Sequence, residues 1–201
     1  MEGNGEFKKV KKPAVFIDRD GTINEQMGYI NHLSRFKILP GVADGIKMLN
    51  EHDHLAIIVS NQSGVGRGYF PIDLVHRVHD YLKATLEEQG ARIDGIYFCP
   101  HYPGAKVPEF NRKCDCRKPE TGLIDQAREA FDIDMSGSYV IGDRCTDIEL
   151  AERADIKGVL VKTGYGLGDM EHIFPKRPLK PAFIADDLGH AVRWIVGRDR
   201  H

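Results

Sequence analysis

The chain has 201 residues, 41% of them hydrophobic, and its 28 basic and 30 acidic residues leave a net charge of −2. That length suits one domain whose core folds without staples, and the balanced charge excludes a broad basic face for nucleic acid. No apolar run approaches a bilayer span and the N-terminus lacks the apolar centre of a signal peptide, so a cytoplasmic protein with no membrane contact is expected.

Lys8, Lys9, Lys11 and Lys12 read as a solvated tail over residues 1–12, followed by a single domain over 13–201. Pro13 opens a short apolar run, residues 14–17, that ends abruptly in Asp18-Arg19-Asp20-Gly21-Thr22. Its length and its Pro and Gly bounds predict a buried parallel strand with two acids at the carboxyl end. In an open α/β sheet that end is where ligands bind, so the pair either holds a hard cation or only shapes an Asp-rich turn. Residues 25–36 show no period and read as a loop. Pro40-Gly41 opens an amphipathic helix with Val42, Ile46 and Leu49 on one face. A second strand, residues 55–59, runs into Ser60-Asn61-Gln62-Ser63-Gly64. A helix over 72–89 repeats Leu74, Val78, Tyr81, Leu82 and Leu86 at helical spacing and is stopped by Gly90. A third strand, 95–98, leads into a loop rich in Cys and His. Helices over 121–131 and 147–154 bracket a fourth strand, 138–142, which ends in Gly142-Asp143. A fifth strand follows at 158–161, then a weak strand at 181–184 and a last helix at 188–196. Strands alternating with helices specify a Rossmann-like, doubly wound, mostly parallel sheet with helices on both faces.

Four strand-end or helix-start motifs now stand in order: Asp18-x-Asp20-Gly21-Thr22, a strand ending in Ser60, Lys118-Pro119 before a helix, and Gly142-Asp143-x-x-x-Asp147. Together they resemble the haloacid dehalogenase superfamily of phosphotransferases. The resemblance implies that Asp18 is the nucleophile and Asp20 the acid and base. It further implies that Ser60 and Lys118 hold the phosphoryl group, and that Mg²⁺ sits on Asp18, Asp20 (through its carbonyl) and Asp143. Asp147 is either a further acid of that site or the N-cap of the next helix, and the cap is the simpler role. The gaps after the first and third strands are too short for the inserted cap domain of many superfamily members, so an open site is expected.

Cys99-Pro100-His101 and Cys114-Asp115-Cys116 are separated by 12 residues. Cys99, His101, Cys114 and Cys116 make the set of N and S donors that a structural zinc prefers, with a chance cluster or a disulfide as the other readings. Cys145 is not counted among them. The loop is similar to that of the zinc-bearing branch containing heptose bisphosphate phosphatases and histidinol-phosphate phosphatases. Gly28-Tyr29, the Ser60 to Gly68 run and the long interval in the loop are nearer the heptose members. The implied function is therefore hydrolysis of a small sugar bisphosphate, with histidinol phosphate as the alternative substrate and an inactive phosphosugar-binding protein as the alternative class. Substrate contacts are expected from Arg19, Gln26, Met27, Gly28, Tyr29, Asn61, Gln62, Ser63 and Arg117, in a monomer.

Overall fold

The first strand sets the architecture. In the computed structural model, which describes residues 11–198, β1 (Lys12–Ile17) is the buried apolar run that the sequence predicts. Its side chains alternate between two cores, as period-2 geometry requires of a strand covered on both faces. Val15 and Ile17 pack into one cluster with residues of α1 (Val42–Glu51), α3 (Ile72–Glu87) and α7 (Leu188–Arg198). Ala14 and Phe16 pack into the other with α4 (Gly122–Ala130) and α5 (Cys145–Arg153). Burying four apolar side chains completely stabilises the strand by several kcal/mol, at roughly 1.5–3 kcal/mol for each large one.

β1 is flanked by β2 (Leu55–Asn61) on one side and β4 (Ile133–Gly142) on the other, both parallel to it. β3 (Gly95–Cys99), β5 (Lys157–Val161) and β6 (Phe183–Ala185) complete a six-stranded sheet in the order β3-β2-β1-β4-β5-β6, every pair parallel. This is the doubly wound α/β class expected. The order reverses at β1, and the register pairs Ile17 with Ile58 and with Ile141. Asp18, Ser60 and Asp143 consequently leave the sheet side by side at one edge, the crevice where such folds bind ligands.

Differences from the sequence reading are local. The tail expected over residues 1–12 lies outside the described residues up to Val10, but Lys12 already belongs to β1, and its Nζ meets Asp53 at 2.8 Å. β4 begins five residues earlier than the apolar run alone indicates, because Lys12 and Pro13 pair with Ile133 and Asp134 before a register break. Two short helices escaped the periodicity, α2 (Ser63–Gly66) and α6 (Gly166–His172), since neither spans enough turns to show one. No inserted cap domain is present among the described residues. None of their helices is long and apolar enough to cross a membrane.

Candidate active site

At the carboxyl edge of β1, β2 and β4 lies a cleft of about 360 Å³ lined by Asp18, Asp20, Ser60, Lys118 and Asp147 at its floor. Lys118 is brought there by the loop before α4, and Asn61 holds that loop in place. The Asn61 amide donates to the Lys118 carbonyl at 3.1 Å, and the Lys118 N–H donates to Asn61 Oδ1 at 3.0 Å. Lys118 Nζ then donates to Asp18 Oδ1 at 2.5 Å and to Asp147 Oδ1 at 2.7 Å, with its side chain only 3% exposed. Two carboxylates outweigh the desolvation of this ammonium and raise its pKa, so it stays charged. Asp147 is not the N-cap expected: Arg144 holds that position, and Asp147, three residues on inside α5, accepts the Arg144 N–H at 3.1 Å with its second oxygen in a capping box.

Asp143 closes the acid cluster. Its Oδ2 accepts the Tyr165 N–H at 2.7 Å, while its Oδ1 is buried with no partner. Gly21 and Gly164 make room for that side chain: each has a positive φ, +96° and +57°, and a Cβ on either would collide with Asp143 Oδ2. Burial pushes Asp143 up to about 8, with Asp18 and Asp147 adding repulsion. Asp18 is pushed up to about 7, again by burial, with Lys118 opposing the shift. Asp18, Asp143 and Asp147 present oxygens within 4.8 Å of one another. A buried, unpaired carboxylate oxygen beside two further acids fits a hard divalent cation, which would satisfy the orphan and reverse both shifts.

Asp20 is held differently. Burial would raise it, but Arg19, Asn24 and Gln62 overcome that and hold its pKa below the usual carboxylate range. The Arg19 guanidinium meets Asp20 Oδ2 at 2.8 Å, Asn24 donates to Oδ1 at 3.0 Å, and Gln62 donates to Oδ2 at 2.8 Å. The same Gln62 amide reaches Ser60 Oγ at 2.8 Å. The Asp20 carbonyl accepts a 3.3 Å bond from Gln26, whose Oε1 takes the Gly28 N–H at 2.9 Å and so shapes the rim.

Three residues expected to touch substrate are not on the cleft wall. Arg19 is 2% exposed and turned beneath the site, where its Nη1 pairs with His79 Nε2 at 3.1 Å. Burial lowers His79 to about 3, so it is a neutral acceptor. Gln62 is buried and spends its amide on Asp20 and Ser60. Met27 packs on the core beside the rim and lines a neighbouring depression with Tyr29 and Tyr69. Gln26, Gly28, Tyr29, Asn61, Ser63 and Arg117 do line the cleft, joined by Arg67, Arg144, Thr146 and Tyr165, which sequence reasoning missed. Arg67, Arg144 and Thr146 stand next to quoted motifs, where a cleft-facing position was legible. Tyr165 carries no such signal and arrives through the turn after β5.

The Cys/His loop gathers as expected. Sγ of Cys99 lies 3.6 Å from His101 Nδ1 and 3.5 Å from Cys114 Sγ, and Cys116 Sγ lies 3.2 Å from His101 Nδ1 and 3.3 Å from Cys114 Sγ. These separations are too long for a disulfide, and all four donor atoms lie within 4.8 Å of one another, close enough to share one zinc ion at the usual distances of about 2.0–2.3 Å. Burial raises the Cys99 thiol strongly and brings Cys116 up to about 11, a cost that a bound cation removes. His101 is pushed down by burial and is neutral, as a ligand must be. Cys145 starts α5, away from this cluster, with its N–H on Asp169 at 2.7 Å.

Residues 115–191 match the HAD-hydrolase-like family. Over 188 residues the chain is 40% identical to a D-glycero-D-manno-heptose-1,7-bisphosphate 7-phosphatase of Thermosynechococcus vestitus, covering 92% of this chain and 95% of that one. The chain belongs to this family of phosphatases. Its Yersinia pestis relative, a D-glycero-beta-D-manno-heptose-1,7-bisphosphate 7-phosphatase, is 41% identical over 76% of this chain and 81% of its own. Among solved structures, the D,D-heptose 1,7-bisphosphate phosphatase from B. bronchiseptica, complexed with magnesium and phosphate, superposes with a TM-score of 0.81. That pair shares 26% identity over 92% of this chain and 99% of the other.

Proposed function

We propose that this chain removes the 7-phosphate of D-glycero-D-manno-heptose 1,7-bisphosphate, as a cytoplasmic monomer, through an aspartyl phosphate at Asp18. The observation that carries this is the acid cluster itself: Asp18 beside a buried cationic Lys118 and an Asp143 oxygen with no partner, at the reversal point of the sheet. Mg²⁺ bound by Asp18, Asp143 and the Asp20 carbonyl would supply the charge neutralisation that two carboxylates facing a phosphate require. Zinc on Cys99, His101, Cys114 and Cys116 would brace the loop that carries Arg117 and Lys118.

The chain's own residues account for the remaining steps. Lys118 and the Ser60 hydroxyl orient the phosphoryl oxygens, so that an Asp18 oxygen attacks phosphorus in line while the bond to the sugar O7 breaks. Asp20 gives O7 its proton. In the open cleft its three donors keep Asp20 ionised; the negative charge of the arriving phosphate raises its proton affinity, and Asp20 takes up from solvent, as substrate binds, the proton that it then passes to O7. Once the sugar leaves, the Asp20 carboxylate takes a proton from water, whose oxygen attacks the aspartyl phosphate and restores Asp18 with release of inorganic phosphate.

The substrate choice rests on Arg117, which lines the cleft and has no carboxylate partner among the described residues. In a site with no cap, a second phosphate is the largest handle for binding energy, and a guanidinium suits it. Steady-state hydrolysis of heptose 1,7-bisphosphate, histidinol phosphate and an aryl phosphate, in wild type and Arg117→Ala, tests the reading. The bisphosphate should be preferred and should suffer most from the substitution; preference for histidinol phosphate refutes the assignment.

A further inference from the structure

The end of α2 is docked on the Cys/His loop more tightly than a side chain would allow. The Val107 N–H donates to the Gly66 carbonyl at 3.0 Å, and a Cβ on Gly66 would stand 2.8 Å from the Pro100 carbonyl oxygen. Arg67 follows at once. Its guanidinium carbon lies 3.5 Å from the centre of the Tyr102 ring, the residue directly after His101, and the Tyr102 N–H is tied to the Phe110 carbonyl at 3.1 Å. Arg117, from the far side of the same loop, places its guanidinium carbon 5.7 Å from that ring and donates to the His101 carbonyl at 3.4 Å. Two guanidinium groups therefore share one aromatic seat on the cleft wall.

Neither has an acidic partner among the described residues, and Arg67 Nε is buried with no acceptor. Elsewhere on the protein arginines do find acids: Arg153 pairs with Glu120 and Glu149, and Arg92 with Asp94. Holding two like charges together without a counterion is unfavourable, and an aromatic face offsets only part of that. A dianion that took a planar fork from each guanidinium would supply the missing counter-charge.

We propose that Arg67, seated on Tyr102, is a specificity-determining residue that grips the non-reacting phosphate of the bisphosphate opposite Arg117. This rests on the functional reading above. Because the seat belongs to the Cys/His loop and Arg67 directly follows α2, the bound phosphate ties the loop after β2 to the loop before α4. The reacting end of the substrate is thereby aligned with Asp18.

Arg67→Met keeps an apolar stem over Tyr102 and removes the fork. With heptose 1,7-bisphosphate as substrate it should lower kcat/KM on the order of 10–100-fold, mainly through KM, as expected for losing charge-assisted hydrogen bonds. With 4-nitrophenyl phosphate, which has no second phosphate, the loss should be several-fold smaller. Arg67→Lys, which keeps charge and stem, should fall between. Melting curves of both variants separate binding from folding. Equal losses on the two substrates, or no loss on either, in a protein whose wild type prefers the bisphosphate, overturn the role of Arg67 alone. A wild type that does not hydrolyse the bisphosphate overturns the functional reading and this inference with it.

Discussion

The acid cluster makes thermal stability depend on a divalent cation in a way that reverses with pH. Asp18 and Asp143 have pKa values raised to about 7 and about 8 by burial, against 3.8 for an unperturbed carboxyl. A raised folded pKa means that the stability these acids contribute is complete below about pH 4 and is lost as pH rises through 7 and 8. Asp20, held low, acts oppositely but only as pH falls below its ordinary range, outside the window from pH 5 to 8. The metal-free protein should therefore lose melting temperature between pH 5 and pH 8 on account of this pair. Mg²⁺ at about 100 times its Kd adds about 2.7 kcal/mol, or roughly 5–11 °C for a chain of this size, and should do so at pH 8. At pH 5 a carboxyl titrating near 7 is ionised only about one time in a hundred and one titrating near 8 about one time in a thousand, so protons weaken binding by more than about 10⁴-fold and the gain all but vanishes. Differential scanning calorimetry at pH 5 and pH 8, with EDTA and with Mg²⁺, measures all four states. An equal or larger magnesium shift at pH 5 would refute the placement of the cation on Asp18 and Asp143.

Three further outcomes follow from the same geometry. Asp18→Asn should abolish phosphate release while leaving the fold intact, because an amide cannot form the acyl phosphate; single-turnover assays and circular dichroism check both halves. Asp20→Asn should slow turnover by about 10²–10⁴ and also lower the melting temperature, because it leaves the buried Arg19 guanidinium without its carboxylate and turns an N–H towards donors on Arg19 and Gln62. Purified protein should contain about one zinc by elemental analysis, and chelation should release the three cysteine ligands, Cys99, Cys114 and Cys116, to thiol reagents and slow turnover through displacement of Arg117 and Lys118.

What the sequence made legible is what strand physics dictates. A short apolar run bounded by Pro13 and Gly21 can hardly be anything but a buried strand, and successive runs of that kind alternating with amphipathic helices leave few topologies open. Asp18, Ser60 and Asp143 could be placed together without coordinates because each ends such a run. The four donors of the Cys/His loop were legible because close pairs of soft ligands have few other uses. Short helices such as α2 were not, as four residues cannot display a period.

The misplacement of Arg19 is the more instructive failure. β1 ends at Ile17, so strand alternation no longer aims the side chains of residues 18–20, and Arg19 turns beneath the cleft to His79 while gripping the Asp20 carboxylate. Its work is indirect: with Asn24 and Gln62 it fixes the position and protonation of Asp20. Gln62 follows the same logic, joining the acid of one strand end to the hydroxyl of the next. The residues of the rim share no such local logic. Arg67, Arg117, Arg144 and Tyr165 come from four different connections and meet only because the sheet brings those connections to one edge. The catalytic floor is thus written in local sequence, while the rim is written in tertiary structure, and selectivity can change there without disturbing the chemistry below.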